Sequence, residues 1–177
     1  MAGIAHRWTA RIAGAAATAA LIFGSTTGTA GAVTNPPTFD LGANYSVIAT
    51  AHPDTVGCVG YKVTGTGTVV GKPVAAGSTW TQDEVACTAT VPGQYDITGT
   101  ATITESDGDK LFLSYHLTAP LTSDTMVYPS GTFTITRGEG SFEEATGGGK
   151  MNAQVNLLDH EHVSNTLSGY IRYRWQI

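Results

Sequence analysis

The chain is poor in charge. Asp, Glu, Lys and Arg make up 13% of its 177 residues, about half the roughly 25% usual in globular proteins. Basic residues are the scarcest. Nine Lys and Arg stand against 14 Asp and Glu, and two of the nine, Arg7 and Arg11, fall in the first 32 residues, which hold no acid. From Val33 onward seven basic residues therefore face 14 acidic ones, a net −7 over 145 residues. Nucleic acids and anionic lipids both require a basic footprint, so neither is an expected partner. No apolar run approaches the ~20 residues of a membrane-spanning helix. After the first 32 residues no stretch repeats its apolar residues at helical spacing. What is present is 41% hydrophobic residues, enough to build one core and to exclude general disorder.

Several catalytic signatures are missing as well. There is no Gly-x-Ser-x-Gly nucleophile elbow. Gly147-Gly148-Gly149-Lys150 resembles a phosphate loop only superficially, because Glu144 and Met151 stand where that loop requires Gly and Ser or Thr, and a strand follows rather than a helix. The two cysteines, Cys58 and Cys87, are too far apart for a C-x-x-C redox motif and too few for a structural zinc site.

Residues 1–32 read as a secretory signal. Arg7 and Arg11 precede an uncharged run from Ile12 to Phe23, and Ala30-Gly31-Ala32 supplies a small-x-small cleavage site. As a helix that run would rise about 18 Å, short of the ~30 Å hydrocarbon core, which argues against the alternative of an uncleaved anchor. The mature chain is expected to start at Val33 and to lie outside the cytoplasm. In an oxidising compartment the pair Cys58 and Cys87 is expected to form a disulfide, two separate buried thiols being the alternative.

Residues 33–44, with Pro36-Pro37, read as an extended arm, and 45–177 as one β domain. The alternation is cleanest from Tyr95 to Thr104, where Ile97, Gly99, Ala101 and Ile103 share one face and threonines the other. Lys110 to Thr118 continues it with Leu111, Leu113, Tyr115 and Leu117, and Asp107-Gly108 between the two supplies a tight hairpin turn. Alternating runs around Phe133 and Ile135, Met151 to Leu157, and Leu167 to Trp175 add three strands. Tyr45–Thr50, Gly60–Val70 and Val85–Val91 are weaker candidates. About eight strands without strand–helix alternation leave a sandwich or a closed antiparallel barrel. Glycines inside strands, which often mark bends, favour the barrel.

An ordered series of motifs carries a family likeness. Gly65-Thr66-Gly67-Thr68 is followed by Ile97-Thr98-Gly99-Thr100-Ala101 and by Asp107-Gly108-Asp109-Lys110-Leu111-Phe112. The strand Gly131-Thr132-Phe133-Thr134-Ile135-Thr136 then runs into Arg137-Gly138-Glu139-Gly140-Ser141-Phe142 and Ala145-Thr146-Gly147. Over about Val56 to Tyr173 the chain resembles the bacterial allene oxide cyclase-like barrels, relatives of plant dirigent proteins. That resemblance implies an eight-stranded barrel around an apolar cavity and a cofactor-free activity that works through pocket shape. The Cys pair, a long insertion from Lys72 to Gly93 and the polar run Asp159-His160-Glu161-His162 depart from the pattern, and no catalytic residue of the plant relatives carries over.

Candidate site residues follow. Leu113, Tyr115, Phe133, Ile135, Tyr173 and Trp175 fall on the apolar faces of their strands and would line a ligand pocket or simply fill the core. His116 would serve as a proton shuttle if it faced inward, but its neighbours Ser114 and Thr118 favour the outer surface. His160 and His162 would share a strand face and offer two imidazoles to a metal, with no third ligand evident; a solvated hairpin is the plainer reading. Glu105, Asp107 and Asp109 lack the pattern of a calcium loop. The expectation is thus a secreted barrel binding a small apolar molecule, without cofactor, with cyclase-type or dirigent-type activity resting on the resemblance alone. The alternative is an exported envelope or interaction protein with a filled barrel. Oligomerisation through the barrel exterior is a further expectation from the family.

Overall fold

The computed structural model describes residues 36–55, 58–88 and 91–174. The expected signal segment 1–32 and Trp175 lie outside the described residues. Among the described residues there are nine strands: β1 (Thr38–Thr55), β2 (Cys58–Lys72), β3 (Ser78–Thr88), β4 (Gln94–Thr104), β5 (Lys110–Pro120), β6 (Met126–Val127), β7 (Ser130–Glu139), β8 (Thr146–Asn156) and β9 (Asp159–Arg172). All pairings are antiparallel, in the order β1-β2-β3-β4-β5-β7-β8-β9, and β9 pairs again with β1. The sheet therefore closes into an eight-stranded barrel, with β6 a two-residue addition to β8. Closure removes the free edges that an open sheet would expose. Thr38–Asn44, expected in the extended arm, are extended as the first half of β1: all pair with β9, and from Asp40 onward they pair with β2 as well.

The β4–β5 hairpin forms as its sequence dictates. The pairing runs unbroken from Gln94↔Pro120 to Thr104↔Lys110. Gly108 takes φ +99° in the turn, a value that L side chains rarely adopt. Its N–H donates to the Glu105 carbonyl at 3.0 Å. Leu111, Leu113, Tyr115 and Leu117 point inward and are buried. The disulfide between Cys58 and Cys87 is present, with Cα atoms 4.9 Å apart, and ties the start of β2 to the end of β3.

Glycines inside the strands do not mark bulges here. Gly99, Gly131 and Gly169 sit in continuous register, whereas the register shifts fall at His52/Thr55, Phe112/Leu113 and Gln154/Asn156. Gly99 clears space for side chains reaching across from its neighbours, while a Cβ at Gly131, Gly149 or Gly169 would meet the backbone of an adjacent strand. Phe39 pairs with Gly169, Gly169 with Gly149, and Gly149 with Phe133. Three strand spacings of ~4.8 Å separate the two phenylalanines along the wall. Their rings nonetheless meet with centroids 5.1 Å apart, because neither intervening residue has a side chain.

One half of the barrel is filled. Phe39, Leu41, Val69, Trp80, Ile103, Leu111, Leu113, Ile135, Met151, Leu167 and Ile171 are all buried there. Phe142, from a short 3-10 turn at Gly140–Phe142, joins this cluster and meets Tyr173 edge-on at 5.7 Å. Burying each large side chain contributes roughly 1.5–3 kcal/mol, so this half anchors the fold.

Candidate functional site

The opposite half of the barrel is open. The second half of β1, the start of β2, the end of β3, the start of β4 and the end of β5 enclose a cavity of about 480 Å³ with the β8–β9 hairpin and the Leu121–Pro129 segment. Its walls are mostly apolar: Val47 and Ala49 from β1, Val63 from β2, Ala86 from β3, Ile97 from β4, Ala119 from β5, with Val127, Val155, Leu157 and Val163 completing the ring. Tyr61 and Tyr95 stand near the mouth with ring centroids 6.2 Å apart.

The inner end of the cavity is polar, and β3 supplies most of it. Its inward residues are Ser78, Trp80, Gln82 and Glu84. Gln82 and Glu84 reach the cavity wall together with Tyr45 of β1. The Trp80 indole N–H donates to Gln82 Oε1 at 2.8 Å, and the Trp80 ring stacks against Tyr45 at 5.9 Å. The Tyr115 hydroxyl donates to Glu84 Oε2 at 2.7 Å. Asn165 of β9 is buried beside this group, and its amide atoms make no hydrogen bond among the described residues.

Gly99 makes the Tyr115–Glu84 contact feasible. Glu84 and Tyr115 flank it in register on β3 and β5. A Cβ at position 99 would lie 2.5 Å from Tyr115 Cζ and Oη and 2.7 Å from Glu84 Cβ. The phenol therefore crosses the middle strand in the space left by the absent side chain.

The electrostatics follow from burial. Desolvation raises the Glu84 pKa, and the Tyr115 hydrogen bond opposes that only in part. Burial also raises Tyr115 and Tyr45, and the Glu84 carboxylate adds to both shifts. All three groups are thus driven toward their neutral, protonated forms. The cavity wall holds no Lys or Arg; its other ionisable groups are Asp124, His160, Tyr61 and Tyr95.

The residues expected to bind a ligand are divided by this arrangement. Leu113, Phe133 and Ile135 belong to the packed core, and Tyr173 packs on Phe142. Tyr115 also belongs to the core cluster and is linked to the cavity only through its bond to the lining residue Glu84. His116 lies on the outer surface, paired with Asp96 across the β4–β5 ladder. His160 is at the cavity wall, whereas His162 lines an outer groove with Asn44, Ser46, Thr66 and Thr68, and its Nδ1 meets Asp159 Oδ2 at 2.8 Å. Glu105, Asp107 and Asp109 do cluster at the β4–β5 turn, but each carboxylate already accepts a backbone N–H, from Ala75, Asp109 and Ser141 respectively. Tyr45, Gln82, Glu84 and Asn165 were not apparent from sequence. The available signal was the period-two spacing of Trp80, Gln82, Glu84 and Ala86, but it alternates with equally polar residues.

Fold and site together define a closed antiparallel barrel with one end packed and the other a chamber. Among solved structures, two pterocarpan synthase dirigent proteins are similar. The first has 14% sequence identity and a TM-score of 0.49, covering 78% of this chain and 92% of that one. The second has 13% identity and a TM-score of 0.46, covering 79% and 96%. The eight-stranded closed barrel expected from the resemblance is the one the strand pairing forms. No protein-family model and no curated protein matches the sequence.

Proposed function

We propose that this protein is an exported barrel that binds one small, largely apolar molecule in its open half, in a dirigent-type role. Such a role consists of holding a reactive molecule in one conformer and keeping water away, without a covalent nucleophile. The carrying observation is the half-filled interior: a cavity of about 480 Å³ with apolar walls and a few convergent polar groups at its inner end. Ligand pockets occupy roughly 300–1,000 Å³ and have this composition. The leader-like first 32 residues support export, and the disulfide is consistent with an oxidising compartment.

The test uses Nile red, a neutral apolar dye whose emission rises in apolar surroundings. It should bind saturably with one-to-one stoichiometry. Ala49→Trp, which places an indole into the chamber from β1, should abolish that binding while leaving the far-ultraviolet spectrum unchanged. Absence of saturable binding, or equal binding by the folded variant, would favour the filled-barrel envelope protein instead.

A further inference from the structure

Glu84 is the unusual element of the chamber. A carboxyl at the inner end of an apolar cavity should have a cationic partner or be held neutral, since an unpaired buried carboxylate is costly. Among the described residues only Tyr115 bonds to it, through Oε2. Among the described residues lining the cavity there is no Lys or Arg, and its other charged or titratable side chains include His160 and a second carboxyl, Asp124. The chain as a whole is acidic, with 14 Asp and Glu against nine Lys and Arg, so its field repels anions. Three phenol rings, those of Tyr45, Tyr61 and Tyr95, also line the chamber, and aromatic faces attract cations.

We propose that the chamber selects amphiphilic amines: a single apolar body carrying one ammonium group that pairs with the Glu84 carboxylate. This rests on the chamber being a binding site and adds the chemical class of its occupant. The ammonium supplies the missing countercharge, and Tyr115 keeps donating to Oε2 while Oε1 accepts from the ligand. A fatty carboxylate of the same size would place two like charges together in a poorly solvated space and is excluded on that ground. A neutral alcohol would gain the apolar contacts and forgo the ion pair.

Three probes with one apolar body separate the two levels of the claim: 1-pyrenebutylamine, 1-pyrenebutanol and 1-pyrenebutyrate, followed by pyrene fluorescence at pH 7. The amine should bind at least tenfold more tightly than the alcohol, and the carboxylate more weakly than either. In Glu84→Gln, whose amide oxygen still accepts from Tyr115, the amine should fall to within about threefold of the alcohol. Equal affinity for amine and alcohol, tighter binding of the carboxylate, or an amine preference that survives Glu84→Gln would overturn the amine assignment and leave the chamber as a binding site. Failure of all three to bind would overturn both.

Discussion

Gly99→Ala tests how the site is assembled. The added methyl would stand 2.5 Å from Tyr115 Cζ and Oη and 2.7 Å from Glu84 Cβ. Carbon atoms in contact prefer roughly 3.5–4.0 Å, so the phenol must leave its place over β4. Two costs follow. The hydrogen bond from Tyr115 to the Glu84 carboxyl is lost, at about 1.5–3 kcal/mol, and the ring is forced into a filled interior, at about 1–3 kcal/mol. The better strand preference of Ala offsets only about 0.5–1 kcal/mol. The net expectation is a destabilisation of about 2–5 kcal/mol. Urea denaturation followed by near-ultraviolet circular dichroism would show it as a lower midpoint at unchanged slope. The control is Tyr115→Leu, which removes the ring. In that background only the close approach to Glu84 Cβ remains, so Gly99→Ala should cost less than in the native protein, giving a measurable coupling between neighbouring sites. A neutral or stabilising Gly99→Ala in the native background, or equal costs in both backgrounds, would refute the reasoning.

Other outcomes follow from the same structure. Reducing Cys58–Cys87, or replacing both by Ser, opens a loop spanning 29 residues in sequence and should lower stability by about 3–4 kcal/mol on the chain-entropy account; an unchanged denaturation midpoint with and without reductant would contradict it. Because burial raises the Glu84 pKa, its contribution is fully present below the ordinary carboxyl value and fades as pH rises through the raised one. Tyr45, Tyr115, Asp124 and His160 face the same space, so the clean comparison is with Glu84→Gln: the native protein should lose stability relative to that variant as pH rises from about 4, and a flat difference would be inconsistent with burial of the carboxyl. Asp109 has the opposite sign. Hydrogen bonds from Ser141 lower its pKa, so its contribution is lost as pH falls below the usual Asp range, and Asp109→Asn should flatten that acid limb.

How much of this was legible in the sequence depended on strand chemistry. The β4–β5 hairpin was readable because its inner residues are apolar, its outer ones largely threonine, and its turn Asp-Gly. The strand β3 was hidden: Ser78, Gln82 and Glu84 point inward, so its inner face is no more apolar than its outer one, and hydrophobic alternation has nothing to report. Lys72 to Gly93 therefore looked like an insertion although it carries a barrel strand. The site was missed for the same reason, because the residues that make β3 illegible are those that line the inner end of the chamber. Pro36-Pro37 drew attention away from the start of β1, although Phe39, Leu41, Ala43 and Tyr45 alternate as cleanly as the hairpin does. The aromatic binding candidates Tyr115, Phe133 and Tyr173 lie in or against the packed core, whereas the chamber's rings are those of Tyr45, Tyr61 and Tyr95; height along the barrel axis decides between them, and no local pattern encodes it.

The most direct test is a crystal structure of the protein with 1-pyrenebutylamine. The account predicts the pyrene between Val63, Ile97 and Val155, with its nitrogen within hydrogen-bond distance of Glu84. An open half packed with its own side chains, or a probe seated only on the outer face of the sheet, would contradict it.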